Sequence, residues 1–113
     1  AVGPYLLGNG LPEAPVCWAR DRRGRRIVSY LWPYHEGKRS MGDYLELIEG
    51  FQEGLLVIAT HSWHLVESYC AGLRPEAEVR QGTDALRTLL EGAERAGAEL
   101  VTIAAHLRRA HAL

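Results

Sequence analysis

The chain has 113 residues, 47% of them hydrophobic, and a formal net charge of −1. That length supports one domain with a modest core, and the near-neutral charge supplies no overall drive toward nucleic acid or an anionic membrane. The charge is uneven: residues 1–40 hold seven Lys/Arg against three Asp/Glu, and residues 41–113 hold six against eleven.

Residues 1–14 carry Gly3, Pro4, Gly8, Asn9, Gly10 and Pro12 and read as an irregular arm. Tyr5, Leu6 and Leu7 are its apolar anchors. Residues 15–32 read as a β-hairpin. Val16 to Ala19 and Ile27 to Trp32 are its strands, and Asp21-Arg22-Arg23-Gly24 suits a type I turn with Gly24 in the left-handed region. Pro33 ends the second strand. A lone hairpin is marginal in water, so this one is expected to dock on helices or on another chain. Arg20, Arg22, Arg23, Arg25 and Arg26 crowd its tip as a basic rim.

After a polar connection, Ser40 and Asp43 have the spacing of a capping box. They open a helix expected over residues 40–72. Tyr44, Ile48, Phe51, Leu55, Ile58, Ser62, Leu65 and Tyr69 alternate spacings of four and three, which places them on one seam. Leu45, Leu56, Ala59, Trp63, Val66, Cys70 and Leu73 make a second row beside it. Gly50 and Gly54 weaken this helix locally, and Gly72 and Pro75 are read as its end. Pro75 to Gln81 reads as a short helical turn. Thr83 is then the expected N-cap of a second long helix, 83–111, with Leu86, Ala93, Leu100 and Leu107 recurring every seven residues. A short link between the two makes them antiparallel neighbours.

The expectation is one mostly α (α+β) domain spanning 1–113: arm, hairpin and two long antiparallel helices. The wide apolar arc on the first helix exceeds what one partner helix covers, so a helical-bundle homodimer follows. Tyr44, Ile48, Phe51, Leu55, Ile58, Trp63, Leu86, Leu89, Leu100 and Leu107 are the expected protein-interaction residues.

Chemistry-bearing patterns are sparse. The chain holds no phosphate-binding glycine loop, no GxSxG and no HExxH. A non-enzyme without cofactor or metal is expected. His61, His64 and Glu67 share one flank at helical spacing but want a fourth ligand. Trp18, Trp32 and Trp63, with Tyr30 and Tyr34, are either the glue between hairpin and helices or a recognition patch. Cys17 and Cys70, far apart and outside any CxxC, read as reduced thiols. The longest apolar run, Leu55 to Ala59, is far short of a membrane span, and with no leader pattern a cytoplasmic location is expected.

Val2-Gly3-Pro4-Tyr5, Ala14-Pro15-Val16-Cys17-Trp18 and Ser40-Met41-Gly42-Asp43-Tyr44 give the chain a resemblance, over nearly its whole length, to the QslA family of small quorum-sensing anti-activators of pseudomonads. That resemblance implies a non-catalytic inhibitor. It would bind the ligand-binding domain of a LuxR-type transcription factor, block its dimerisation and stop it binding DNA. Two other classes stay open: a small nucleic-acid-binding regulator using the Arg-rich hairpin, and a metal- or small-ligand-binding helical protein.

Overall fold

The computed structural model describes residues 5–51 and 53–111. Residues 1–4 of the expected arm lie outside that range. In the rest of it, β1 (Tyr5–Leu6) pairs antiparallel with β2 (Pro12–Glu13). The expected hairpin follows as β3 (Trp18–Arg20) and β4 (Arg26–Val28), with Ala19 opposite Ile27. Its turn is closed by the Gly24 amide donating to the Asp21 carbonyl at 2.9 Å, and Gly24 has φ +77°. Pro33 then sits in the first turn of a single-turn helix, α1 (Trp32–His35), where its missing N–H costs nothing.

The long helix is not formed. α2 (Met41–Gly50) starts as expected: the Ser40 side chain accepts from the Asp43 amide, and the Asp43 carboxylate accepts from the Ser40 amide. It stops after ten residues. Gly50 and Gly54 each weaken a helix by about 1 kcal/mol relative to Ala, and Gly54 takes φ +98°, which no other residue adopts without strain. Leu55-Leu56-Val57-Ile58-Ala59 is then a short apolar run rich in β-branching, and it extends instead of coiling. Residues 62–65 make one turn of 3₁₀ helix. β5 (Glu67–Ser68) and β6 (Gly72–Leu73) form a third hairpin, in which Gly72 at φ +73° serves a turn instead of capping a helix.

The second helix is also divided. α3 (Glu76–Arg95) begins directly after Pro75, with Glu76 and Glu78 favourably placed in its first turn, so Thr83 lies inside it. Gly97, at φ +91°, ends the turn after it, and α4 (Ile103–His111) is separate. Among the described residues the molecule is therefore an α+β arrangement in which the 20-residue α3 is the one long helix, with shorter helices and three two-stranded sheets; it is not a pair of long antiparallel helices, and the helical-bundle homodimer built on that pair falls with it.

The core lies between the β3–β4 hairpin, α2 and α3. Ile27, Leu31, Tyr44, Leu47, Ile48, Leu89 and Ala93 are its buried members. The Tyr44 hydroxyl donates to the Tyr30 carbonyl at 3.0 Å, and burial pushes its pKa up to about 12. Among the described residues, no helix is long and apolar enough to cross a membrane.

Candidate functional site

Two strand segments run side by side in the middle of the chain. Ala59 bridges Tyr30 in parallel: its amide donates to the Ser29 carbonyl at 2.9 Å, and the Leu31 amide donates to the Ala59 carbonyl at 3.0 Å. Ser29, fully buried, ties a third segment in. Its hydroxyl accepts from the Cys17 amide at 2.7 Å and donates to the Val57 carbonyl. Because the pairing is parallel, both segments finish at the same end. There the chain continues into Trp32-Pro33-Tyr34-His35-Glu36 on one side and His61-Ser62-Trp63-His64 on the other.

Glu36 organises that end. Its Oε2 accepts from His64 Nε2 at 2.7 Å and from Arg74 Nη2 at 3.0 Å, while its Oε1 accepts from the Ser68 hydroxyl at 2.8 Å and the Tyr69 amide at 3.1 Å. The side chains of His64 and Glu36 are 1% and 7% exposed. An ionised carboxylate only accepts, so His64 carries a proton on Nε2. The His64 hydrogen bond is the chief reason that the Glu36 carboxyl titrates at about 2. Arg74 also donates to the His64 carbonyl at 3.1 Å and to the His35 carbonyl at 2.8 Å. Among the described residues every buried side-chain nitrogen and oxygen has a partner, so this network is complete as it stands and fixes the site's shape.

Aromatic rings surround the network. Trp63 stacks with His61 at 5.7 Å and with His64 at 4.7 Å. Tyr69 presents its edge to Trp63, His64 and Trp32 at 5.3, 5.0 and 6.5 Å. Trp32 stacks on Tyr30, and the Lys38 ammonium lies 4.8 Å from its ring centre. His35 lies 4.9 Å from His64. Burial first, then the charges of His64 and Arg74, lower its pKa to about 4, so near neutrality it is an uncharged imidazole with one donor and one acceptor. Trp63 and Tyr69 remain 38% and 65% exposed.

The residues expected to grip a partner separate into two groups. Tyr44, Ile48, Leu55, Leu89 and Leu107 are buried by the chain itself. Phe51, Ile58 and Leu86 are half-buried, and Trp63 and Leu100 are exposed. Seven of the ten, Ile48, Phe51, Leu55, Ile58, Leu86, Leu89 and Leu100, converge on one open cleft of about 630 Å³ beside α3. Trp63 belongs to the aromatic site. The basic rim is mostly occupied: Arg22 pairs with Glu46 at 3.1 Å, Arg25 with Asp21 at 3.2 Å, and the Arg20 and Arg26 guanidinium groups lie 6.0 and 5.1 Å from the Trp18 ring centre. Arg23 is exposed at the turn. Burial raises the Asp21 carboxyl, but the Arg25 amide, Arg39 guanidinium and Arg23 amide outweigh it and hold the pKa at about 2.

His61, His64 and Glu67 no longer share a helix flank, because residues 62–65 are a 3₁₀ turn and Glu67 lies in β5. That removes the spacing on which the ligand set rested. Cys17 is buried and Cys70 exposed, both as thiols. Sequence reasoning passed over Glu36, Ser68 and Arg74. They are 32 and 38 residues apart from Glu36 outward, and no local motif joins them. Comparison with protein-family models, with characterised proteins and with solved structures finds no match for the chain.

Proposed function

We propose that the chain binds a small ring-bearing molecule at the surface formed by Trp32, His35, His61 and Trp63, against which the Tyr69 ring rests. The observation that carries this reading is the ring cluster itself: Trp63 stacks with His61 and His64, Tyr69 stands T-shaped to Trp63 and Trp32, and Trp63 stays 38% exposed above a fixed polar network. Its composition fits: exposed aromatic rings offer faces and edges for stacking, while a neutral imidazole offers one donor and one acceptor to polar groups on the ligand's rim. The test is a titration of the protein with a panel of glycans, nucleotides and aromatic acids, followed by tryptophan fluorescence and amide chemical shifts. A binder from the panel is expected to perturb residues 32–35 and 61–69 and to lose at least tenfold in affinity in Trp63→Ala, a change of about 1.4 kcal/mol. Perturbations confined to other parts of the chain, or none with any member, overturn the reading.

A second reading is favoured by the apolar cleft beside α3 and by the exposed Leu73 and Val66. Apolar surface of this kind suits a protein partner. The resemblance to the QslA family supplies the class: a LuxR-type regulator, held through its ligand-binding domain so that it neither dimerises nor binds DNA, with no catalytic step. On this reading Leu100→Arg, an exposed residue lining the cleft, abolishes inhibition in a DNA mobility-shift assay while the far-ultraviolet circular dichroism is unchanged. Regulator that stays on its DNA at saturating wild-type protein rejects it.

A further inference from the structure

The two oxygens of Glu36 hold different parts of the molecule. Oε2 holds the floor of the aromatic site, His64 and Arg74, and Arg74 is bonded again to the His35 and His64 carbonyls. Oε1 holds only the β5–β6 hairpin, through the Ser68 hydroxyl and the Tyr69 amide. The hairpin has little else to keep it in place. Its strands are two residues each, Glu67 and residues 69–73 are exposed, and Leu73 is 77% exposed. Its one ring contact with the body is the Tyr69 edge resting on Trp32, Trp63 and His64. At its base the Arg74 amide donates to the Val66 carbonyl at 2.8 Å, so the hairpin closes on itself before it joins the rest of the chain.

We propose that residues 67–73 form a lid over the aromatic site, hinged at Val66 and Arg74 and latched by Ser68 and the Tyr69 amide on Glu36 Oε1. Swinging the lid out withdraws the Tyr69 ring and uncovers Trp32, Trp63 and His64. The floor stays assembled, because its bonds run to the other oxygen and to backbone carbonyls. As regulation of access, the lid rests on the ligand-binding reading above. Its existence does not, because it is measured without any ligand.

Ser68→Ala removes the latch hydroxyl, which also accepts from the Cys70 and Ala71 amides within the hairpin, and leaves the floor bonds untouched. The readout is therefore the Tyr69 amide, which donates to Glu36 and not to Ser68: hydrogen exchange followed by NMR on the full chain is expected to show it exchanging about tenfold faster in Ser68→Ala, the change that loss of one hydrogen bond to an ionised group brings. Residues 27–31 and α3 keep wild-type rates, and Ser68→Thr, which keeps a hydroxyl, restores protection. Equal exchange of the Tyr69 amide in wild type and Ser68→Ala overturns the latch. Acceleration spread evenly over the chain overturns the lid, because the hairpin then opens only with the whole fold. A lid that behaves as expected beside an unresponsive ligand panel counts against the ligand reading alone, and a productive panel beside a rigid hairpin counts against the lid alone.

Discussion

His35 and Glu36 are neighbours whose shifted titrations act in one direction. The unfolded imidazole takes a proton near 6.5, but in the fold burial, aided by the charges of His64 and Arg74, delays this to about 4. Between those values the unfolded chain binds more protons than the folded one, so stability is full above pH 6.5 and declines as pH falls toward 4. The ring is partly exposed, and solvent screening reduces the effect to about 1–2 kcal/mol. Glu36 extends the decline. Its carboxylate, held mainly by His64, is lowered from 4.5 to about 2, so its contribution is present above pH 4.5 and is lost as pH drops from there to about 2. Urea midpoints measured from pH 7.5 to pH 3 should therefore fall in two overlapping stages. In His35→Ala the stage between pH 6.5 and 4 should flatten while the more acidic one persists. A variant whose profile parallels the wild type across the upper interval would show that His35 is not held neutral by the fold.

The elements themselves divide into those fixed by neighbours in sequence and those fixed by distant contacts. The Asp21–Gly24 turn and the Ser40–Asp43 box were legible because each is complete within four residues: a side chain, its backbone partner and, at Gly24, a φ that only glycine takes cheaply. The long rod was not legible as broken, because spacings of four and three also arise when a helix, an extended run and a hairpin follow one another. Tyr44 and Ile48 share a helix face, but Ile58 packs against the same core from an extended segment. Gly50 and Gly54 were the signal for the break, and their cost to a helix outweighs the seam's continuity. The Glu36 cluster has no local signature at all. Its members meet only because the strand pair and the β5–β6 hairpin bring them together. α3 illustrates a glycine with the opposite task. A Cβ at Gly92 would strike Leu45 Cδ2, so the glycine permits α2 and α3 to approach closely. Gly92→Val should destabilise the protein by about 1–3 kcal/mol through overpacking, read as a lower thermal midpoint. An unchanged midpoint would mean that the Leu45 side chain swings aside and the glycine is not needed for the approach.

At the scale of the whole molecule, the stabilising contacts are concentrated in one part of the chain. The buried cluster draws on residues 27–48 and on Leu89 and Ala93, whereas β1–β2 contributes none of its members and both Tyr5 and Leu6 are exposed. Leu107 is the buried apolar residue of α4 among those described. The radius of gyration, 15.5 Å, exceeds the roughly 13 Å of a compact domain of about this length. A fold held this way opens in pieces. The strand pair, α2 and the second half of α3 are expected to open as one cooperative unit, and Leu107 is the buried side chain that α4 offers it among the described residues. Leu107→Ala should therefore release α4 without unfolding the rest. Amide protection across 103–109 would fall to that of an exposed segment, while the thermal midpoint read at the core would move by no more than about 2 °C, because the removed contacts lie outside the cooperative unit. If the midpoint instead dropped by the several degrees expected of a core leucine truncation, α4 would have to be part of that unit.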